Sequence, residues 1–332
     1  MDHGKTALVL GATGGIGGEM ARTLLARGWH VRALSRDKRR PADAAGASRW
    51  IYGDAMQAAD VIAAARGADL IVHAVNPPGY QRWAELVLPM MANSIAAARQ
   101  SGARILLPGT VYNYGPNAGH ALFEHSPQQP VTRKGAIRVA MEQLLRQAAD
   151  DGVRSLIVRA GDFFGPHARS NWFSQGLIKP GRLLQSVSYP GQTGIGHQWS
   201  YLPDVAETMM QLIEQQARLE PFALFHTAGH WDVDGTQMVQ AIREASGNAS
   251  LAVRRFPWWL FMAAAPVVPL MREMKEMRYL WQQPLHMHNT RLLALLGKEP
   301  HTPLRQAVQA TLSGLGCLPP APQKIVKRDM AA

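Results

Sequence analysis

A single cysteine, Cys317, is all that the 332 residues contain. An intrachain disulfide is thereby excluded, and a reducing, cytoplasmic setting is the expectation. Long apolar runs are also missing. The most apolar stretch, "FPWWLFMAAAPVVPLM" at 256–271, carries three prolines and is shorter than the roughly 20 residues that span a bilayer. No membrane span is expected from it. It reads as a substrate lid or a buried lobe helix, with peripheral membrane contact as the other reading. Nor does a cationic leader precede the first strand-like run, "TALVL", so no cleavable leader is expected.

Acids are scarce relative to bases: 24 Asp and Glu against 35 Lys and Arg, a formal net charge of +11. Such a balance suits nucleic acid, an anionic membrane or a phosphorylated small molecule. The cations are scattered, however, with local clusters at Lys38–Arg39–Arg40 and from Lys324 to Arg328. Zinc-finger spacing and a basic-aromatic RNA motif are both absent. The expected partner is therefore a small-molecule substrate, not nucleic acid, and a homodimer is compatible with the sequence. No G-x-S-x-G elbow anchors a serine hydrolase. The "HMHN" run at 286–289 has an i, i+2 histidine pair suited to a strand, with no carboxylate cluster nearby, so no metal is expected.

What is present is alternation. Short apolar runs ("KTALVLGA", "HVRALS", "ADLIVHAV", "ARILLPG", "RSLIVRA") are interleaved with amphipathic stretches. Residues 15–27 place Ile16, Met20, Leu24 and Leu25 on one helical face, and 84–101 and 133–149 read as further helices. This order implies right-handed βαβ crossovers: an α/β fold, a Rossmann-type doubly wound parallel sheet, with a smaller C-terminal substrate lobe. The sheet domain is assigned to 1–165 and 197–230, the lobe to 166–196 and 231–320, and a mobile tail to 321–332.

Between the first strand and first helix lies "VLGATGGIGGEM". Gly11 permits a tight turn, Gly14 lets the backbone approach a pyrophosphate, and Gly17 lets the helix pack close to the sheet. Thr13, Gly15 and Ile16 complete the loop, and the helix N-terminus offers amides to the anion. A plain strand-to-helix turn would need fewer glycines. An NAD site usually carries an acid at the end of the second strand, on the ribose 2′-hydroxyl. Here Ser35 and Arg36 stand there, with Lys38 close behind. An arginine grips a 2′-phosphate with a fork of donors, so NADP(H) is favoured over NAD(H). The alternative is a solvated basic turn.

These features resemble the extended short-chain dehydrogenase/reductase family, the group of nucleotide-sugar epimerases and dehydratases. The likeness runs from "GATGGIG" through "YGDA", "HAVNPP", "PGTVYNYGP", "VRAGDFFGP" and "SYLPDVAE" to "LLGKEPHTPLRQAVQATL". It implies that Asp54 lies near the adenine and that Ala74, Val75 and Asn76 line the cofactor after the fourth strand. It also implies that Thr110 bonds the substrate oxygen, and that His167, Asn171, Trp172 and Phe173 lie where the family lines its substrate pocket. That last stretch reads otherwise as a packed loop.

One family feature is missing. Its Tyr-x-x-x-Lys motif corresponds here to Lys134-Gly-Ala-Ile-Arg138, and no tyrosine occurs between Tyr114 and Tyr189. The resemblance gives the absent tyrosine a proton to exchange and the absent lysine a ribose to hold. Arg138 can keep the ribose contact. Lys134, with a reference pKa of about 10.4 near tyrosine's, can act as the acid if burial and Arg138 lower it. Tyr112 and Tyr114 are rival acids. The other reading makes Lys134, Arg138 and Glu142 an exposed i, i+4 face on which Arg138 and Glu142 pair in solvent. The sequence thus supports two functions. One is an NADP(H)-dependent oxidoreductase or epimerase-like enzyme with a non-standard acid site; the other is an inactive NADP(H)-binding regulator or scaffold.

Overall fold

The computed structural model describes residues 4–38, 49–77 and 82–319. Arg39, Arg40, Pro78 and the tail with its Lys324 to Arg328 cluster lie outside the described residues. In chain order the first half runs β1 (Thr6–Leu10), α1 (Gly15–Ala26), β2 (His30–Ser35), β3 (Arg49–Tyr52), α2 (Ala58–Ala64), β4 (Leu70–His73), α3 (Trp83–Ser101), β5 (Arg104–Thr110), β6 (Ala121–Leu122), α4 (Arg133–Asp150) and β7 (Ser155–Ala160). The second half runs β8 (Asp162–Phe164), β9 (Ser186–Tyr189), β10 (His197–Tyr201), α5 (Leu202–Glu214), β11 (Phe222–His226), β12 (His230–Asp232), α6 (Gln237–Ser246), β13 (Ala252–Arg255), α7 (Trp258–Ala264), α8 (Pro269–Glu276), β14 (His286–Met287), α9 (Thr290–Leu296) and α10 (Leu304–Gly314).

Seven strands pair in parallel in the order β11-β7-β5-β4-β1-β2-β3. The strands are apolar end to end because both faces are covered. On one face Ala7 and Val9 pack with Met20, Leu24, Val205 and Met209 of α1 and α5. On the other, Leu8 and Leu10 pack with Val61, Met91, Ile95, Met141 and Leu145 of α2, α3 and α4. The chain leaves β1 toward β2 and β3, then returns to place β4 on β1's other side. Leu10 therefore has Leu34 on one flank and His73 on the other. The strand order thus reverses at the carboxyl ends of β1 and β4, the place where open α/β sheets bind their ligands.

A third cluster, outside the sheet, is aromatic: Trp172, Phe173, Tyr189, Trp199, Phe256 and Trp281 pack together with Met238 and Ile242 of α6 and Val308 and Leu312 of α10. The apolar run at 256–271 is not a buried lobe helix. Prolines split it into α7 and α8, and α7 has no buried residue. Trp258 packs against Trp172 and Phe256, whereas Trp259 is 70% exposed. Among the described residues no helix is long and apolar enough to cross a membrane. His286 stacks on Trp231 and His288 on Phe123, and no metal-ligand cluster forms among the described residues.

Candidate cofactor and catalytic site

The glycine turn is built by backbone constraints that only glycine meets. Gly11 has φ +88°, and its carbonyl accepts from the Gly14 amide at 2.9 Å. A Cβ on Gly11 would lie 2.5 Å from the Ala74 carbonyl oxygen, and one on Gly17 would lie 2.2 Å from that of Gly11. Both distances are too short for a side chain, so α1 and the loop after β4 are held against the turn by the absence of one. Gly14 caps α1 without a side-chain bond, and no acid stands in the first turn. The leading amides thus face the exposed Thr13–Gly14 corner with no acid in their own helical turn, an arrangement that suits a phosphate. On the other side, a Cβ on Gly15 would sit 3.0 Å from Ala168 and 3.3 Å from Leu202, so the segment after β8 walls the loop. Ile16 is half-buried against the α5-side core. Gly17→Ala is expected to destabilise the fold by about 1–3 kcal/mol, the usual cost of overpacking, read as a lower urea midpoint.

Ser35 and Arg36 stand at the carboxyl end of β2, next to the turn. The Ser35 hydroxyl accepts from the Asp37 amide at 3.1 Å, and Arg36 is exposed. Lys38 lies over the Tyr52 ring at 5.0 Å. Asp54 shapes the next loop: its amide donates to Asp60 at 2.8 Å and its carboxylate accepts from the Met56 amide at 3.0 Å. After β4, the Ala74 amide extends the ladder to the Leu10 carbonyl at 3.0 Å, Val75 packs on the α3-side core, and Asn76 accepts from the Trp83 indole.

Arg138 approaches the same edge from α4. Its guanidinium lies 5.4 Å over the Trp83 ring and donates to the Pro108 carbonyl at 3.4 Å. Nearby, burial and then the Arg138 charge push the His73 imidazole down to about 3, so that ring is neutral and bonded to Ser94. Thr110, the last residue of β5, is buried, and its hydroxyl accepts from the Tyr112 amide at 3.3 Å. The Tyr112 hydroxyl donates to Asp162 at 3.1 Å. The other Asp162 oxygen lies 2.9 Å from Nε2 of His197.

Lys134 is not on a solvated face. It is 4% exposed at the start of α4, where Thr132 caps the helix by accepting from the Gly135 amide at 3.0 Å. Its amine lies 3.5 Å from Glu273 of α8, and the Arg133 amide donates to Glu276 at 3.1 Å, so α8 covers this end of α4. Burial lowers the Lys134 pKa, with Glu273 opposing and Arg138 adding to the depression. Glu142 also corrects the solvent-pair reading. It is 4% exposed and pairs not with Arg138 but with Arg159, at 2.5 Å. Tyr114 is committed elsewhere: it is fully buried, bonded to Arg159, His226 and the Phe123 carbonyl, and burial raises its pKa.

The loop after β8 divides its residues. His167 is exposed. Asn171 spends its amide within the loop, accepting from the Ser174 amide at 2.8 Å and donating to the Ala168 carbonyl at 3.1 Å. Trp172 is buried edge-on against Trp281, and Phe173 is wholly buried. Sequence reasoning did not single out Asp162, His197 or Trp281. The available signal was an acid inside "AGDFF" and a histidine opening "HQWSY", neither of which belongs to a fully apolar strand.

The profile of the NAD dependent epimerase/dehydratase family matches residues 7–225. A curated relative, 3-diazoavenalumate denitrifying reductase from a Streptomyces species, is 31% identical over 174 residues, covering 48% of this chain and 56% of that protein. The chain thus matches little more than half the length of that relative. Among solved structures, MoeE5 in complex with UDP-glucuronic acid and NAD superposes with a TM-score of 0.71 at 18% identity, covering 94% of this chain and 98% of that one. The Bordetella bronchiseptica enzyme WbmH in complex with NAD+ gives 0.69 at 17% identity, with 94% and 98% covered. At such identities the superpositions speak for the fold. The fold, the glycine turn and the profile match agree, and the chain belongs to the NAD-dependent epimerase/dehydratase family.

Proposed function

We propose that this chain is an NADP(H)-dependent oxidoreductase, or epimerase-like enzyme, that acts on a carbonyl or hydroxyl substrate with a non-standard acid site. The observation that supports the reading is that the glycine turn follows β1 and Thr110 ends β5, at the carboxyl ends of the two strands that flank β4, with Arg138 donating to the Pro108 carbonyl of β5. The residues fit the dinucleotide: Gly11 and Gly17 let α1 and the loop after β4 close on the turn, and the α1 amides face the exposed Thr13–Gly14 corner. When bound, the nicotinamide supplies or accepts a hydride. The turn and the α1 N-terminus hold the pyrophosphate, Ser35 and Arg36 the 2′-phosphate, Asp54 the adenine end, and Arg138 the nicotinamide ribose. Ala74, Val75 and Asn76 line the same path. Thr110 orients the substrate oxygen, and Lys134 or Tyr112 supplies the proton. His167, Asn171 and Trp172 belong to the substrate side of this reading, with His167 the one whose side chain is exposed. The Trp- and Met-rich apolar stretch at 256–271 favours a hydrophobic carbonyl compound over a nucleotide sugar. The partial match to a reductase supports the reductive direction.

Calorimetric titration tests the reading. NADPH is expected to bind about 10–100-fold more tightly than NADH, the worth of a charge-assisted fork on a phosphate. Arg36→Ala should erase most of that difference. Folded protein that takes up neither nucleotide rejects the assignment. Uptake of NADPH without its consumption by any of a panel of carbonyl compounds favours the regulator reading, to which the missing family tyrosine points.

A further inference from the structure

We infer that Tyr112, Asp162 and His197 form a proton relay that feeds the substrate oxygen, with Asp162 and His197 as positioning residues behind Tyr112. The inference rests on the oxidoreductase reading above. Its starting point is a hydrogen-bond count. His197 and Asp162 are 6% and 4% exposed, so water does little to satisfy either. Nε2 of His197 lies 2.9 Å from Asp162 Oδ2, and Nδ1 lies 3.2 Å from the Leu280 carbonyl oxygen. Both ring nitrogens therefore face oxygen acceptors. A neutral imidazole carries one N–H, and a backbone carbonyl cannot donate. One proton more than a neutral imidazole and a carboxylate hold would satisfy both contacts, and the relay places it between Asp162 Oδ2 and His197 Nε2.

Two further features turn a stored proton into a usable one. The His197 ring stacks on Trp281 with centroids 3.9 Å apart and planes 6° from parallel, a face that favours a cation. The other carboxylate oxygen, Asp162 Oδ1, accepts from the Tyr112 hydroxyl at 3.1 Å, so the chain from His197 to Tyr112 is unbroken. Tyr112 is bonded through its amide to Thr110, and a cavity lined by Val111, Asp162, His197, Leu280 and Leu285 opens beside the relay. The neighbouring ionisable groups are otherwise engaged. Tyr279 donates to the Tyr114 carbonyl at 2.8 Å, and burial followed by the Asp162 charge raises its pKa. Lys134 pairs with Glu273.

With NADPH bound, the carbonyl carbon would gain a hydride and the C=O π pair would move onto oxygen. That oxygen forms its O–H bond as the Tyr112 hydroxyl turns from Asp162 and its own O–H bond breaks. His197 Nε2 gives its proton to Asp162 Oδ2, and the carboxyl turns about Cβ–Cγ to hand that proton to the tyrosinate, leaving His197 with one N–H. Opening of the pair to solvent after the alcohol leaves restores the second proton.

The first test needs neither cofactor nor substrate. In the full chain labelled with ¹⁵N-histidine, ring correlation spectra are expected to show one imidazole with both nitrogens protonated, or with a single N–H beside a protonated carboxyl in the infrared. The signal should vanish in His197→Gln and change in Asp162→Asn. A His197 ring with one N–H beside an ionised Asp162 overturns the relay. The second test uses NADPH with 9,10-phenanthrenequinone. Asp162→Asn and His197→Gln are expected to lower kcat about 100-fold. The KM for the quinone and the NADPH affinity should be retained, and Asp162→Glu should recover part of the loss. Variants that turn over like the parent protein, or a parent that binds NADPH and leaves the quinone unreduced, count against the relay. Absence of NADPH uptake defeats the oxidoreductase reading instead, and the ring spectrum still decides the proton count.

Discussion

Lys134→Met is expected to cut turnover about 100-fold or more, the usual worth of a charge beside a developing alkoxide that Tyr112 protonates, while leaving NADPH affinity nearly unchanged. Position 134 is where the family resemblance puts the missing tyrosine, and the amine is 4% exposed instead of solvated. Burial lowers its pKa, and Glu273 opposes that shift and favours the cation. Methionine matches the stem and removes the charge, but it leaves Glu273 buried without its lysine. The control is Lys134→Met combined with Glu273→Gln. That double variant should regain thermal stability over the single one and remain as slow. Turnover that stays at the parent level in either variant removes Lys134 from the chemistry and leaves Tyr112 as the acid.

The parts of the site that could be read in the sequence are those that residue type alone determines. Gly11 and Gly17 could be recognised because no other residue fits a Cβ-free approach of 2.5 Å or less to a carbonyl. The sheet could be recognised because parallel strands covered on both faces are continuously apolar. β3 was missed: it is a four-residue edge strand with its end residues exposed, so neither a buried run nor an alternation announces it. The partners of buried charges were illegible for a different reason. Helical periodicity correctly groups Lys134, Arg138 and Glu142, but it does not say what faces them. The three diverge: Lys134 to Glu273 of α8, Arg138 to the ends of β4 and β5, Glu142 to Arg159 of β7. Asp162 and His197 are separated by 35 positions and meet only because β8 and β10 pair in parallel. The run at 256–271 misled in the opposite direction, since its apolar composition promised burial and its prolines turn it along the surface.

Glu142→Ala is expected to destabilise the fold by about 3–5 kcal/mol, the cost of stranding a buried charge. Arg159 is wholly buried. It donates from Nε to Glu142 at 3.0 Å, from a second nitrogen at 2.5 Å, and from the third to the Tyr114 hydroxyl. Burial would lower its pKa, but Glu142 more than reverses this, so the guanidinium stays charged. His226, the next group, offers no compensating negative charge; burial and Arg159 hold it neutral, down to about 3. Without Glu142 the cation therefore has only neutral acceptors. The matching variant is Glu142→Leu with Arg159→Leu, which removes both charges and should recover most of the loss. Urea denaturation of Glu142→Leu, Arg159→Leu and the double leucine variant closes the cycle, and additive losses would show that the pair contributes nothing as a pair. The same carboxylate accepts from Asn113 at 2.8 Å, and Asn113 follows Tyr112 in one short 3-10 turn. Loss of Glu142 should thus loosen the segment that aims Tyr112, so turnover in the folded fraction falls as well, whereas the double leucine variant stays slow even where its stability returns.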